Sequence, residues 1–330
     1  MKYDISVVGD CVQDIFILSE SKVMKQKRKD GKATELLSFL YREKLNVEEL
    51  HYDLGGSACN AAVAMQDLGV KTTMVSMLGG DIYSKAVRLQ LRKRGVGSSF
   101  LYDEKNKDLG LSFILLGPDR DRTILTYRAA NDFSKINIKR LFKASKAYYI
   151  AGINAYSKIL VPLILEDAVK KNKKIYINPS IYQIEKDQRM LKKVLAVSEI
   201  AVMNLEEARA ISGLRNGVDI ANILKKIKSI GASIVVVTNG VRGAYVYDGN
   251  IGYHSGIIKK KRIDATGAGD SFAGTFVASH RRGFDLAESL RAATVNAGNV
   301  ISVYGAQRGL LGWKKILPKR GLVKINKIKV

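Results

Sequence analysis

Apolar residues gather in short runs that close on glycine or on polar turns, and between these runs apolar positions recur at helical spacing. Residues 3–8 form the first run and end at Gly9, and residues 15–18 form a second extended run. An apolar helix opens over 54–60, reaches 68 and stops at Gly69; residues 72–78 read as a strand, and 79–94 as a helix stopped by Gly95. Residues 111–116 and 123–127 flank the turn Gly117-Pro118-Asp119 and predict a hairpin. From residue 146 strand and helix alternate at short intervals, over 147–150, 158–170, 174–177, 190–197 and 200–203. Such alternation predicts an α/β fold, a doubly wound and mainly parallel sheet with helices on both faces and a site at the strand ends. An apolar strand over 234–237 runs into a hairpin that ends at His254, helices are expected over 271–281 and 285–303, and the apolar and basic alternation of 322–330 predicts a final edge strand.

One stretch breaks the alternation. Residues 20–33 are polar and Lys-rich, carry an Asp30-Gly31 turn, and lie before extended apolar runs at 36–41 and 50–54, which predicts a hairpin projecting from the main sheet.

With 330 residues and 46% apolar content, the chain has enough material for a large core, and disorder as the dominant state is excluded. Fifty-five Lys and Arg against 31 Asp and Glu give a net charge of +24, but the charge is spread along the chain. No aromatic-interleaved basic motif, zinc-finger spacing or homeodomain-like block accompanies it, so nucleic acid is not expected as the main partner. Cys11 and Cys59 do not make a disulfide framework, the first residues lack the apolar core of a signal peptide, and no run approaches ~18 apolar residues. A cytoplasmic location away from membranes is the expectation. His51, His254 and His280 are far apart, which argues against a dedicated zinc site.

The chemistry concentrates in the stretch from Ile263 to Gly274. Gly267, Ala268 and Gly269 let a ligand approach the backbone closely, and amide groups at the start of the following helix offer donors and positive dipole to an anion. Asp270 is then either the N-cap of that helix or a carboxylate placed to take a proton from an attacking hydroxyl. Asp14 emerges from a strand end, where it is a solvated turn residue or a grip for neutral hydroxyls. Gly55-Gly56 opens a ligand path to the backbone unless Ser57 simply caps the helix. Asn204 and Glu207 lie three apart at the start of a helix and either cap it or hold a hydrated Mg²⁺ beside phosphates. No G-x-x-x-x-G-K-[ST] segment is present, and the first strand is not followed by G-x-G-x-x-G.

The run Asp264-Ala265-Thr266-Gly267-Ala268-Gly269-Asp270 resembles the signature of the ribokinase-like (PfkB) carbohydrate kinase family and departs from its commonest form only at Ala265. Further segments match in the family's order across essentially the whole chain, from Gly9 and Asp14 to Asn296. The resemblance implies one kinase domain over 1–330, with a β-strand lid formed by inserted segments at about 14–54 and 99–128. It assigns Asp270 as general base and Gly267, Ala268 and Gly269 as anion hole. Asp14, Gly55, Gly56 and Asn60 become the contacts to the acceptor, with Asn131 as a further candidate. Thr238, Gly240, Gly243 and Ala244 match the family's nucleotide segment, Asn296 its adenine side, and Asn178-Pro179-Ser180 the loop beneath the phosphates. Asn204 and Glu207 are implied to organise Mg²⁺ through water, and Asp264, with the backbone of Gly305-Ala306, to hold a monovalent cation such as K⁺. The implied activity is transfer of the γ-phosphoryl of ATP to a ribose- or hexose-type sugar. A nucleoside kinase and a phosphosugar kinase are the alternatives within the family, the latter with Arg120, Arg122, Arg128 and the Lys-rich run as a second anion clamp. A basic nucleic-acid-binding protein on the same fold is the alternative of another class. A homodimer through the lid is also implied.

Overall fold

The computed structural model describes residues 2–27, 33–119, 121–128, 133–151, 157–214 and 217–330. The chain opens with a buried strand, β1 (Ile5–Val8), then leaves the core for β2 (Val12–Ser19), β3 (Lys22–Lys27), β4 (Ala33–Ser38) and β5 (Val47–Gly55). Helix α1 (Ser57–Asp67) brings it back to β6 (Thr72–Gly79), α2 (Ile82–Lys93) and β7 (Gly97–Glu104). A second excursion follows as β8 (Gly110–Leu116) and β9 (Arg122–Tyr127). Helix and strand then alternate: α3 (Ile138–Ala144), β10 (Ala147–Ala151), α4 (Ser157–Lys170), β11 (Lys174–Asn178), α5 (Ile181–Lys186), α6 (Gln188–Ala196), β12 (Ile200–Asn204), α7 (Leu205–Ser212), α8 (Ile220–Lys228) and β13 (Ile234–Thr238). The hairpin β14 (Ala244–Tyr247) and β15 (Gly252–Ser255), the helices α9 (Ala268–Arg281) and α10 (Leu286–Val300), and the edge strand β16 (Ile325–Ile328) complete the order.

Among the described residues the strands form three sheets. The central one runs β16-β15-β14-β13-β12-β11-β10-β1-β6-β7. It is parallel from β13 to β7 and antiparallel from β13 to β16. Both faces are covered, which is why its strands read as unbroken apolar runs. Ile5 and Val7 of β1 belong to the core layer shared with α1, α9 and α10, and Val8 to the layer on the opposite face. No helix among the described residues is long and apolar enough to cross a membrane.

The smaller sheet has the order β5-β2-β8-β9 and stands over the carboxyl ends of the parallel strands. The expected lid needs two corrections. Residues 97–104 are not part of it: β7 pairs in parallel with β6 at the edge of the central sheet because Phe100 and Leu101 are buried there. The Lys-rich hairpin is not an extension of the main sheet either, since β3 and β4 pair only with each other, in a separate exposed ribbon. The strand ends at Ser38, short of the expected 41. The Asp30-Gly31 turn, Arg120 and Asn131 lie outside the described residues.

Candidate active site

Helix α1 carries Ala58, Ala61, Ala62 and Ala64, all fully buried, and α9 carries Gly274 against it. A Cβ on Gly274 would come within 2.8 Å of the Ala61 carbonyl oxygen, so the two helices approach as closely as small residues allow. That approach sets the site. It brings Asn60 Nδ2 to 2.9 Å from Asp270 Oδ2, joining the Gly-Gly helix to the signature helix.

Helix α9 begins at Ala268, earlier than the expected 271, so Asp270 is in the first turn and is not the N-cap. The N-cap is Gly267, at φ 71°, where a side chain is strained; an added Cβ would also lie 2.3 Å from Ala306 Cβ. No side chain caps the helix start; Ala268 N donates to the Ala265 carbonyl at a long 3.4 Å, and the neighbouring first-turn amides remain available to an anion. Gly269 has open space where a side chain would stand, and it lines both of the cavities described next.

The first cavity, about 430 Å³, lies between the lid and the strand ends. It gathers Asp14, Gly56, Asn60, Asn204, Glu207, Gly267, Gly269 and Asp270 from segments spread across the chain, together with Asn178, Pro179 and Ser180. Gly55 does not line it. A Cβ there would lie 2.2 Å from Asp14 Oδ2, so Gly55 makes room for that carboxylate and does not itself face a ligand. The second cavity, about 400 Å³, is lined by Thr238, Gly240, Gly243, Ala244, Ala268, Gly269, Phe272 and residues of α10. Arg122, Thr238 and Gly269 are common to both.

Asn296 is a correction. It is fully buried away from both cavities, donating to Thr275 Oγ1 at 2.8 Å and accepting from the Leu311 amide at 2.9 Å. Its polar atoms tie α9, α10 and the 311 segment together, and Thr294, Ala297, Gly298 and Ile301 are the α10 and adjoining residues that face the second cavity.

The electrostatics are those of crowded carboxylates. Burial pushes Asp14 up to about 7; the Ser112 hydroxyl holds it down, while the negative charges of Asp53, Asp270 and Asp264 push it further up. Asp270 is also raised by burial, against hydrogen bonds from Asn60 and Ser57 that favour its ionised form. Glu207 is raised by burial to about 7, opposed by the Asn204 amide and assisted by the charges of Asp270 and Glu206. Asn204 and Glu207 form a complete capping box, Asn204 N to Glu207 Oε2 at 2.9 Å and Glu207 N to Asn204 Oδ1 at 2.9 Å. Both also line the first cavity, so capping fixes a carboxylate and an amide oxygen at its wall, a donor set suited to a hydrated Mg²⁺. Asp264 is buried and accepts from Thr266 N and Oγ1 at 2.8 and 2.7 Å and from Gly305 N at 3.1 Å. Its carboxylate therefore ties the signature segment to the Gly305-Ala306 turn.

One residue enters that the sequence reading did not name, and a second takes a wider place than it was given. Gln307 Nε2 donates to Asn60 Oδ1 at 2.9 Å and to the Leu54 carbonyl at 3.1 Å, from 247 positions away from Asn60; no local pattern marks it. Arg122, read only as one member of an anion clamp, lines both cavities, and its Nε is buried without a hydrogen-bond partner. Arg128 of the same expected clamp lines the first cavity as well and is 3.4 Å from Asp10, which also lines it.

The sequence is 24% identical over 269 residues to a nucleoside kinase of Methanocaldococcus jannaschii, covering 80% of this chain and 84% of that protein. It is 26% identical over 281 residues to a ribokinase of Haemophilus influenzae, covering 81% and 87%. An Escherichia coli protein solved in complex with ATP and Mg²⁺ superposes with a TM-score of 0.78 over 96% of this chain and 98% of that one, at 19% identity, a likeness of fold alone. The family model of the pfkB carbohydrate kinases matches residues 7–311, and with that match over nearly the whole fold just described, the chain belongs to the pfkB family of carbohydrate kinases.

Proposed function

We propose that residues 1–330 act as one kinase domain, closed over by its four-stranded lid, that transfers the γ-phosphoryl group of ATP to a hydroxyl of a ribose- or hexose-type sugar. The observation that carries this reading is the position of Asp270, a raised and partly buried carboxylate in the uncapped first turn of α9, facing the lid carboxylate Asp14 across one cleft. Asp14 accepts hydrogen bonds from acceptor hydroxyls, and Asn60 and Gly56 complete that wall. Asp270 removes the proton of the attacking hydroxyl. The amides of Gly267, Ala268 and Gly269, with the helix dipole, stabilise charge that grows on the transferring oxygens. Asn204 and Glu207 would hold Mg²⁺ through its waters, and the ion supplies charge neutralisation of the phosphates. Thr238, Gly240 and Gly243 line the donor side, and the Asp264 link to Gly305 supports a K⁺ site in that loop. Arg122, reaching both cavities, adds a cation where donor and acceptor meet.

A second reading, a nucleoside acceptor, is favoured by the apolar residues Leu111, Ile124 and Tyr127 on the lid side of the cleft and by the nucleoside kinase among the relatives. Exposed Leu36, Phe39, Leu40, Tyr41 and Leu50 support a second copy pairing through the lid.

The test is ADP release with ATP, Mg²⁺ and K⁺ over a panel of ribose, fructose, 2-keto-3-deoxygluconate, fructose 6-phosphate, adenosine, cytidine and guanosine. Saturable turnover with one acceptor, lost in Asp270→Asn, is expected. Silence across the panel, with tight and salt-sensitive binding to nucleic acid, would replace the kinase with a basic binding protein.

A further inference from the structure

The register of the lid sorts its cleft-facing side chains into rows across the strands. Asp14 of β2 is opposite Ser112 of β8, which is opposite Thr126 of β9, and Asp53 of β5 continues the row on the other side. Two positions further along each strand, Phe16 is opposite Ile114, which is opposite Ile124. Two further again, Leu18 is opposite Leu116, which is opposite Arg122. Side chains two apart share a face of a strand, and Asp14, Ser112, Ile114, Arg122, Ile124 and Thr126 all line the first cavity.

The rows follow the direction from acceptor to donor. At the far end Arg122 also lines the second cavity, and its neighbour Asp121 meets Arg262 of that cavity's rim at 3.1 Å. At the near end the polar row carries Asp14, the hydroxyl grip. The isoleucine row lies between them. Phe16 and Ile114 anchor it in a small apolar cluster with Leu18, Leu116 and Tyr304, and Ile124 extends it into the cleft with 43% of its surface open. Ile124 is thus the part of the isoleucine row that stands open to the cleft, between the polar row that carries Asp14 and the arginine that reaches the second cavity.

The geometry points to the Ile114–Ile124 row as a dry divider over the point of transfer, which keeps water from competing with the acceptor hydroxyl. This rests on the kinase reading above. Productive transfer breaks the bond from the terminal phosphorus of ATP to the oxygen bridging to ADP, forms a bond from the acceptor oxygen to that phosphorus, and leaves the acceptor's proton on Asp270. Water in the acceptor's place gives ADP, inorganic phosphate and a proton. An apolar strip offers that water no hydrogen bond and makes its entry unfavourable. Asp14 and the polar row bind the acceptor; the strip decides which oxygen reaches phosphorus.

Ile124→Thr tests this. Threonine keeps the β-branched shape that suits a strand, and Ile124 is not a core residue, so the lid is expected to form. Leu125→Thr, on the opposite face of the same strand and 53% exposed, is the control. Inorganic phosphate and ADP are measured together with ATP, Mg²⁺ and saturating ribose or adenosine. In Ile124→Thr the fraction of ADP released as free phosphate at saturating acceptor is expected to rise about tenfold, while Leu125→Thr stays at the wild-type ratio. Equal ratios in Ile124→Thr and wild type, with wild type transferring normally, overturn the divider and leave the kinase reading intact. Equal rises in both variants likewise overturn it, since the effect is then general loosening of the lid. A wild type that phosphorylates neither probe nor any other acceptor of the panel overturns the kinase reading, and the divider with it.

Discussion

Asn60 holds Asp270: its Nδ2 donates to Oδ2 at 2.9 Å, across 210 positions of chain. The other end of the same amide accepts from Gln307 at 2.9 Å, which fixes which end of Asn60 faces the carboxylate. A residue that family resemblance assigns to the sugar thus also orients the proposed base and favours its ionised form against burial. Asp270→Asn is expected to lower kcat by ~10²-fold or more with little change in KM, because proton removal belongs to the transition state. Near-normal turnover in that variant would remove Asp270 from the mechanism.

Loss of the Asn60 bond acts on the pH profile. The base works only when ionised, and the bond holds its pKa down, so Asn60→Ala raises that pKa and moves the acid limb of kcat to higher pH. Profiles of the wild type and the variant measured between pH 5 and 9 separate this from a pure binding role, which would raise acceptor KM and leave the limb where it is.

Asp14 makes a prediction about stability. In the folded protein it keeps its proton up to about pH 7, whereas in the unfolded chain it releases it near ~4. Between those values the native state binds more protons, so stability falls as pH rises through this window, and above it the full cost of a buried charge remains. Asp14→Asn removes a penalty on the order of 4 kcal/mol at pH 8, about three pKa units at ~1.4 kcal/mol each. Its Tm is expected to exceed that of the wild type by several degrees at pH 8, and the difference to shrink toward pH 4. Its acceptor KM rises at both ends. Thermal scans showing equal Tm at pH 8 would mean Asp14 is not the strained carboxylate described here.

How far the sequence reached depends on whether a feature is local. The parallel core was legible because each strand is a short apolar run buried on both faces, as in Ile234–Thr238. The signature helix was legible as a helix but not at its start, since Gly267 takes up a left-handed conformation that a string of small residues does not announce. Strand β7 was misread as lid because an apolar run does not say which sheet it joins. Gln307 escaped for another reason: it acts on Asn60, far along the chain, through a contact that exists only in the folded molecule.

Asn296 shows the converse, a familiar position with a different occupation. Its side chain satisfies Leu311 N and Thr275 Oγ1 inside the core. Asn296→Ala leaves both buried partners unpaired, which costs about 1–3 kcal/mol each at most and lowers Tm accordingly. KM for ATP is expected to stay within about twofold, because the side chain does not face the donor cavity. Nucleotide titration of a folded Asn296→Ala that showed a large loss of affinity would restore it to the nucleotide site.

Gly267 and Gly269 separate fold from function two residues apart. At Gly267 the backbone is left-handed and a Cβ would press on Ala306 at 2.3 Å, so Gly267→Ala strains the helix start and displaces the turn that Asp264 also holds. A loss of roughly 1–3 kcal/mol in stability, with activity falling alongside, is expected. At Gly269 the backbone is helical and nothing lies within 4 Å of an added Cβ. Gly269→Ala should gain up to about 1 kcal/mol in stability from a helical Ala in place of Gly. The methyl group, however, enters the space shared by the two cavities, where phosphate oxygens would lie against the amides. A more stable protein with ATP turnover reduced by ~10-fold or more is therefore the expected result, by urea unfolding and ADP release measured on the same preparation. Unchanged turnover in a stabilised Gly269→Ala would place the phosphates elsewhere, and with them the anion hole assigned to the start of α9.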